Sequence, residues 1–404
     1  MNRESKHFLL SFFIISMGTP AQFIFAVKKA DPLTGTLMVS FYFIFSAISS
    51  ILFSKLSDRL MRRKIFAIIG FVLVASVFIA YFFASSPFEL IACSSMVGIG
   101  FSAYNPTSNA LFSEMEPTIP SGKLMSYFFV VASAGWAVGS VIAGVVDQYF
   151  GDYVFIFGAF ITLVGLSIYS LKVQDIPYDR NNAEDIRKFK NSKPNPNLKI
   201  YSVLIIILSI AMLTRHLCVQ GGFSLFPNYL EASTLKGGLE LESISISLLL
   251  AVNMTTQSII MIPMGRLVDH KKFGRKIVLL FGLIGANITV FAWSLIYIPW
   301  IMIFPQMLIG FAWPALATAA TALITDITTR RTRSQGLGWF NAGLAIGGSI
   351  GPIVSFFLMI QSTGNYRFVF QILSLVPVAG IILVLIAFSE NKLTHEYYLF
   401  RRKK

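Results

Sequence analysis

The chain has 404 residues, of which 55% are hydrophobic and 13% are charged, and its mean hydropathy is +0.70. Soluble domains carry about 25% charged residues, so the composition excludes an ordinary water-soluble protein. The net charge of +14 would suit a nucleic-acid-binding protein, but the positions of the cations, given below, favour a membrane instead.

Apolar runs long enough to cross a bilayer follow one another along the chain. A spanning helix needs roughly 20 predominantly apolar residues. We therefore predict an all-α polytopic membrane protein with twelve transmembrane helices, in contact with the lipid bilayer. The predicted spans are 7–28, 34–56, 64–84, 87–112, 123–149, 153–173, 200–229, 243–268, 276–296, 299–326, 335–360 and 367–389.

Lysine and arginine are distributed unevenly between the two sides of these spans. Nearly all lie on one set of alternating loops and on the two tails; the exceptions are Lys28, Lys29, Arg215, Lys236 and Arg367. Cytoplasmic loops of membrane proteins carry an excess of Lys and Arg. The distribution predicts a multi-pass protein of the cytoplasmic membrane with both termini in the cytoplasm.

Helices 1 and 4 contain polar residues within their apolar runs. Gln22 follows Gly18-Thr19-Pro20, which we interpret either as a packing kink or as the wall of a substrate cavity. Asn105 and Asn109 are four residues apart, so they share one face of helix 4. Polar groups in hydrocarbon are costly unless they are paired, so these two line a cavity or bond to a neighbouring helix.

Helix 7 contains Arg215, about fifteen residues from its start, and this is the one cation that we place deep within a span. A buried cation is expensive and indicates either a functional site or a specific structural partner. We predict that Arg215 contacts an anionic substrate group or holds a gating contact. The alternatives are a backbone carbonyl or helix end as structural partner, or a side chain that snorkels to the interface if the span begins elsewhere. Gln220 is a further cavity candidate, Gly221-Gly222 predicts a helix break, and His216 is either a proton site or a packing residue.

Two polar residues of helix 8 and an aromatic residue from helix 4, 10 or 11 complete the predicted cavity. Asn253 and Gln257 are four residues apart near the middle of helix 8 and share one face. Tyr104, Trp313 or Trp339 would supply aromatic walls.

Two short cationic turns join helix 2 to helix 3 and helix 8 to helix 9. The first is Ser54–Lys64 and the second is Gly265–Lys276, and each contains an acid, Asp58 or Asp269, at the same place. Plain positive-inside charge would not explain the repeated acid. The two turns indicate two halves of the same design, with domains 1–173 and 200–404 joined by a cytoplasmic linker over 174–199.

With this repeat, the sequence resembles the major facilitator superfamily over nearly its whole length. The motif is the signature G-x-L-x-D-R-x-G-R-R/K after helix 2, where Leu56 and Asp58 match but Ser54 and Met61 replace the glycines. The resemblance implies two pseudosymmetric six-helix bundles with substrate between them, rocking to give alternating access. It also implies a gating latch of charged residues, namely Asp58, Arg59, Arg62, Arg63, Asp269, Arg275, Glu114 and Asp326.

One departure from that family concerns coupling to protons. Its proton-coupled drug exporters usually carry an arginine in helix 4, where this chain has Ser94. If transport is coupled to protons, His216, Glu114 or Asp326 would have to carry the proton; otherwise the carrier is uncoupled.

We predict a secondary active transporter, a monomer, that moves a polar or anionic metabolite or a drug-like efflux substrate, with a proton or another ion as possible coupling partner. The alternatives are an uncoupled facilitator of the same fold and a transporter-derived receptor that binds without flux. With 4 His in the chain, no catalytic or metal-ligating cluster is evident, so neither an enzyme nor a cofactor is expected.

Overall fold

A computed structural model describes residues 1–60, 62–116, 119, 121–175, 198–268, 274–327 and 333–387. Within these ranges, the side chains at 54–55, 58–59, 113–114, 121–123, 125, 198–202, 274, 325–327, 333–338 and 387 are outside the description. The described chain forms twelve long helices and no strand. They are α1 Arg3–Lys29, α2 Pro32–Leu60, α3 Arg63–Phe83, α4 Pro87–Met115, α5 Ser121–Phe150, α6 Tyr153–Lys172, α7 Leu198–Phe223, α8 Ser243–Val268, α9 Gly274–Leu295, α10 Ile303–Ile327, α11 Arg333–Gln361 and α12 Tyr366–Ala387.

By length and composition, 11 helices of the described chain are apolar enough to cross a membrane, and α4 falls short of that measure. Its second half carries the polar residues that the sequence singled out, among them Asn105 and Asn109. Because α4 is as long as its neighbours and packs along both α2 and α3, we treat it as the twelfth span. The prediction of an all-α protein with twelve spanning helices is confirmed.

Two helices are irregular where the sequence predicted irregularity. In α1 the residues after Pro20 form a π-turn over Ala21–Ala26, as expected of a kinked segment. In α7 the predicted break at Gly221-Gly222 was two residues too early, since the helix continues to Phe223 and a short helix, Phe226–Glu231, follows. The two glycines instead allow close packing, because a Cβ at Gly221 would lie 2.9 Å from the Gly351 carbonyl oxygen.

The packing of the helices repeats between the two halves. In the first half the main pairs are α1–α5, α1–α6, α2–α4, α3–α4 and α3–α6, and in the second they are α7–α11, α7–α12, α8–α10, α9–α10 and α9–α12. Adding six to each helix number converts the first set into the second. The two large contacts between the halves, α2–α11 and α5–α8, are exchanged by the same rule. The described chain is therefore two pseudosymmetric six-helix bundles.

We name the two ends of the bundle by residues that lie there. The Lys28 end carries the connections at 30–31, 84–86, 151–152, 232–242, 296–298 and 362–365. The opposite, terminal end carries the N-terminus, the ends of α2 and α8 and the starts of α3 and α9. The domain limits at 173 and 200 stay a prediction, because most of the proposed linker lies outside the described residues.

Candidate substrate site

Helix rise places the predicted cavity residues at different depths. At about 1.5 Å per residue, Gln220, Arg215, Asn253 and Gln257 lie roughly 15 to 24 Å from the Lys28 end. On the same measure Gln22 is about 10 Å from that end, whereas Asn105 and Asn109 are about 27 to 33 Å from it. The residues of α7 and α8 therefore share a level near the middle of the bundle.

Arg215 is buried, with only 4% of its surface exposed. Its guanidinium carbon lies 5.1 Å from the ring centre of Trp313, which projects from α10. Among the described residues no carboxylate pairs with Arg215, and its Nε has no hydrogen-bond partner. An aromatic face compensates a desolvated cation by about 2 kcal/mol, which is much less than a buried ion costs. The arrangement leaves Arg215 with unused capacity for an anion.

His216 lies beside both Arg215 and Trp313. Its Nδ1 is 3.3 Å from Nη1 of Arg215, and its ring centre is 5.7 Å from that of Trp313. A protonated ring would place two cations at this distance, so the geometry fits a neutral imidazole that accepts from the guanidinium. A neutral His216 orients the arginine, and its role as a proton site stays a prediction.

Of the other polar residues at this level, two are partly exposed and one is buried. Gln220 and Gln257 are half-buried, whereas Asn253 is buried with 4% of its surface exposed. Next to Gln257, Ser258 forms a 2.7 Å hydrogen bond with Ser133 of α5, which joins the two halves. Amide groups exposed to hydrocarbon would be costly, so the open faces of the two glutamines require water or ligand.

Three of the predicted cavity residues bond elsewhere. Asn109 donates from Nδ2 to Oδ1 of Asn105 at 3.1 Å, and both are half-buried on α4. Gln22 is 2% exposed and donates to Oγ of Ser94, 3.0 Å away, and Ser94 donates to the Met38 carbonyl. No hydrogen bond in the described structure joins these residues to Arg215. Their part in substrate binding stays a prediction.

Among the predicted aromatic walls, Trp313 is the one beside the candidate site. Tyr104 is buried, with its ring centre 4.4 Å from that of Phe71. Trp339 lies near the start of α11 with 66% of its surface exposed.

Three arginines of the predicted latch lie among the described side chains. Arg62 is exposed just before α3, and Arg63 and Arg275 are half-buried near the starts of α3 and α9. The latch itself stays a prediction, because the remaining members lie outside the residues whose side chains are described, namely Asp58, Arg59, Glu114, Asp269 and Asp326.

A lysine at each cationic turn does have a described role. Lys64 donates to the carbonyl of Ser170 at 2.7 Å, and Lys276 donates to the carbonyl of Leu385 at 2.9 Å. Each acceptor is the third residue from the end of the last helix in its half. A cation at a helix C-terminus satisfies carbonyls that have no partner within the helix and also favours the helix dipole.

The Lys28 end also contains a cluster of charged and polar side chains that was not predicted from the sequence. We define the Lys28 cluster as Lys28, Asp147, Glu231 and Ser243. Lys28 Nζ lies 2.7 Å from Asp147, 2.5 Å from the Ser243 hydroxyl and 3.3 Å from Glu231, and Ser243 donates to Asp147 at 2.6 Å. The available signal was the cation itself, since Lys28 departs from the charge distribution of the other loops.

Two relatives with named functions resemble the chain in sequence. The chain is 32% identical over 125 residues to Multidrug resistance protein 1 of Bacillus subtilis (strain 168), a match that covers 31% of this chain and 32% of that protein. It is 23% identical over 361 residues to Multidrug resistance protein MdtG of Salmonella schwarzengrund (strain CVM19633), which covers 88% of this chain and 84% of the relative. The chain thus spans about a third of the first relative and most of the second.

Solved transporters share the fold at low identity. A mutant form of the nucleoside transporter NupG superposes with a TM-score of 0.76 at 13% identity, over 96% of this chain and 100% of the other. The peptide transporter POT in complex with sulfate gives 0.74 at 13% identity, over 96% and 94%. These likenesses establish the fold alone.

A family model described as Major Facilitator Superfamily matches the chain twice, over residues 8–238 and 212–403. Together the matches cover almost the whole sequence, in agreement with the two-bundle fold and with the transporters that share it. The chain belongs to the Major Facilitator Superfamily.

Proposed function

We propose that this transporter-family protein is a secondary transporter that moves a small amphipathic organic anion by alternating access. Its membrane would be the cytoplasmic membrane, with both termini in the cytoplasm and the Lys28 end outside. The uneven distribution of Lys and Arg supports this orientation. We take the working unit to be the monomer, because each chain contains both bundles.

The observation that carries the proposal is that the buried Arg215 pairs with no carboxylate among the described residues. The family fold supplies a route between the halves, and the buried guanidinium beside Trp313 supplies a cation next to an aromatic face. A carboxylate or phosphonate attached to an apolar body would satisfy both groups. The relatives named for multidrug resistance favour an amphipathic solute and export.

The uncoupled facilitator is a second candidate, favoured by one observation. Ser94 occupies the position where the resemblance would place an arginine, and it forms a neutral hydrogen-bonded chain with Gln22 and the Met38 carbonyl. Coupling to protons would then require another group, of which His216 is one. Transport that is unchanged when the proton gradient is collapsed would support the facilitator.

A ligand screen with matched pairs tests the substrate class. Purified protein would be melted with organic acids and with their neutral amides or methyl esters, beside sugars and cationic drugs. We expect acids with an apolar body to raise Tm and their neutral partners to do so much less, because binding to the folded state alone stabilises it. Equal shifts within every pair would refute the anion. Binding without flux in liposomes would instead indicate a receptor.

A further inference from the structure

At the Lys28 end, α5 and the start of α8 are in contact over one full turn. A Cβ at Gly144 would overlap the side chain of Ser247. One turn further, Asp147 accepts from Ser243, and the next residue, Gln148, accepts from the Ile244 amide at 3.2 Å. These contacts join the first half to the second, so the two halves meet at this end.

The Lys28 cluster lies at the centre of this contact, and its members divide unequally between the halves. Lys28 and Asp147 both belong to the first half, and their side chains are only 16% and 14% exposed. The second half contributes the neutral Ser243 hydroxyl and Glu231, whose side chain is 46% exposed. The buried ion pair is thus internal to one bundle, and an exposed acid and a hydroxyl attach the other bundle to it.

We propose that the Lys28 cluster is a releasable contact between the two halves at this end. It acts beside two other hydrogen bonds, from Asn228 to the Ala30 carbonyl and from Gln148 to Glu242. When the halves separate, Lys28 keeps Asp147 as its partner, so no buried charge is left without compensation. Glu231 is already exposed, so water replaces the lysine there, and Ser243 loses hydrogen bonds that water also supplies. The cluster therefore stabilises the closed form, in which the halves meet at the Lys28 end, without making the open form, in which they are separated there, prohibitively costly.

The neighbouring Lys29 provides a matched control. It lies next to Lys28 and pairs with Asp152 at 2.7 Å and with the Tyr81 carbonyl at 3.1 Å. Both partners belong to the first half. Removing the charge of Lys29 lowers the net charge at this end by one, as removing Lys28 does, but it leaves the contacts between the halves intact.

The test is a distance measurement between spin labels in the full-length protein in nanodiscs. One label replaces Tyr149 at the end of α5, and the other replaces Leu235 in the second half; these are 69% and 98% exposed. The native cysteines are replaced by Cys93→Ser and Cys218→Ala. Double electron–electron resonance then gives the populations of shorter and longer distances between the two labels.

Lys28→Met should raise the ratio of longer to shorter distances about tenfold or more, because it removes both contacts to the second half. Ser243→Ala should raise it about 5- to 100-fold, as expected for two lost hydrogen bonds, since the hydroxyl accepts from Lys28 and donates to Asp147. Lys29→Met should leave it unchanged. If Lys28→Met does not fold, Ser243→Ala alone decides the question.

Unchanged distances in both Lys28→Met and Ser243→Ala, or an equal shift in Lys29→Met, would overturn the inference. The inference rests on the proposed alternating access but on no particular substrate. A shift in Lys28→Met combined with failure of every anion to bind would refute the substrate and leave the contact standing. Anion transport with unchanged distances would do the reverse.

Discussion

Two cations in corresponding helices are treated in opposite ways. Lys28 in α1 has two carboxylates and a hydroxyl around it, whereas Arg215 in α7 has an aromatic ring and a neutral imidazole. Lys28 is 16% exposed in its side chain and Arg215 is 4% exposed overall. The more deeply buried cation is the one without an acid among the described residues. This difference fits the two proposed roles: Lys28 stabilises the contact between the halves, and Arg215 binds the anionic substrate.

The first prediction is that replacing each of the two cations by methionine changes the free energy of unfolding in opposite directions. Arg215→Met should raise the free energy of unfolding by about 1–3 kcal/mol, because an apolar residue of similar length replaces a buried charge that lacks an ion-pair partner. Lys28→Met should lower it by a similar amount, because Asp147 then loses its cation. Thermal unfolding in detergent measures both. If the two variants shift Tm in the same direction, the comparison fails.

The second prediction concerns the packing that closes the Lys28 end. Gly144→Ala should destabilise the closed form by about 1–3 kcal/mol, because the added methyl group meets Ser247. Gly265→Ala is the control, since a Cβ there has no atom within 4 Å. The control should be neutral or stabilising by up to about 1 kcal/mol, as expected in a helix. Labels at 149 and 235 should separate in the first variant alone.

The third prediction concerns the aromatic face beside Arg215. Trp313→Leu should weaken binding of an anionic ligand about 3- to 30-fold, because it removes the ring that orients the guanidinium and the substrate, a loss of roughly 0.5–2 kcal/mol. Trp300→Leu, at an exposed position of the Lys28 end, should leave the affinity unchanged. Titration calorimetry with the best ligand from the screen compares them. Equal affinities in the two variants would remove Trp313 from the site.

The smallest expected effect is on the N-terminus and depends on pH. The backbone amide of Asn2 donates to Glu116 at 2.6 Å, and this hydrogen bond lowers the pKa of the Glu116 carboxyl below its usual value of 4.5. A lowered folded-state pKa stabilises above that value, and the contribution is lost as pH falls through the folded pKa.

Hydrogen exchange of the first residues measures this effect. Protection of the amides of residues 2–6, corrected for the intrinsic rates, should be constant near neutral pH and fall below about pH 4.5. Glu116→Gln should remove that dependence. A variant with the same pH profile as the native protein would show that Glu116 does not anchor the terminus.

The fold could be predicted from the sequence because the patterns that indicate it extend over many residues. Spans of about 20 apolar residues and two copies of a cationic turn extend over many positions, and α8 was predicted at Ser243–Val268, where it lies. The break in α7 was misplaced, because glycine pairs serve close packing as well as flexibility. At Gly221 and Gly222 the neighbours Gly351 and Trp293 decide for packing.

The site was predictable only in part. Arg215 stood out because a charge inside a span is rare. Its contact with Trp313 depends on how α7 and α10 pack, and the Lys28 cluster depends on four residues spread from position 28 to position 243. Such contacts leave no periodicity in a single sequence. Gln22 and Asn105 were grouped with Arg215 because they are polar, and the structure gives each a different partner.

The central claim is that Arg215 binds a transported anion, and transport by the variant tests it most directly. Native protein and Arg215→Met would be reconstituted in liposomes, and counterflow of the best anionic ligand would be compared with that of its neutral ester. We expect a loss of anion counterflow of about 10- to 100-fold, the worth of a hydrogen bond to a charged group, while the variant remains folded and more stable. Anion counterflow at the native rate in a folded Arg215→Met protein would contradict the account.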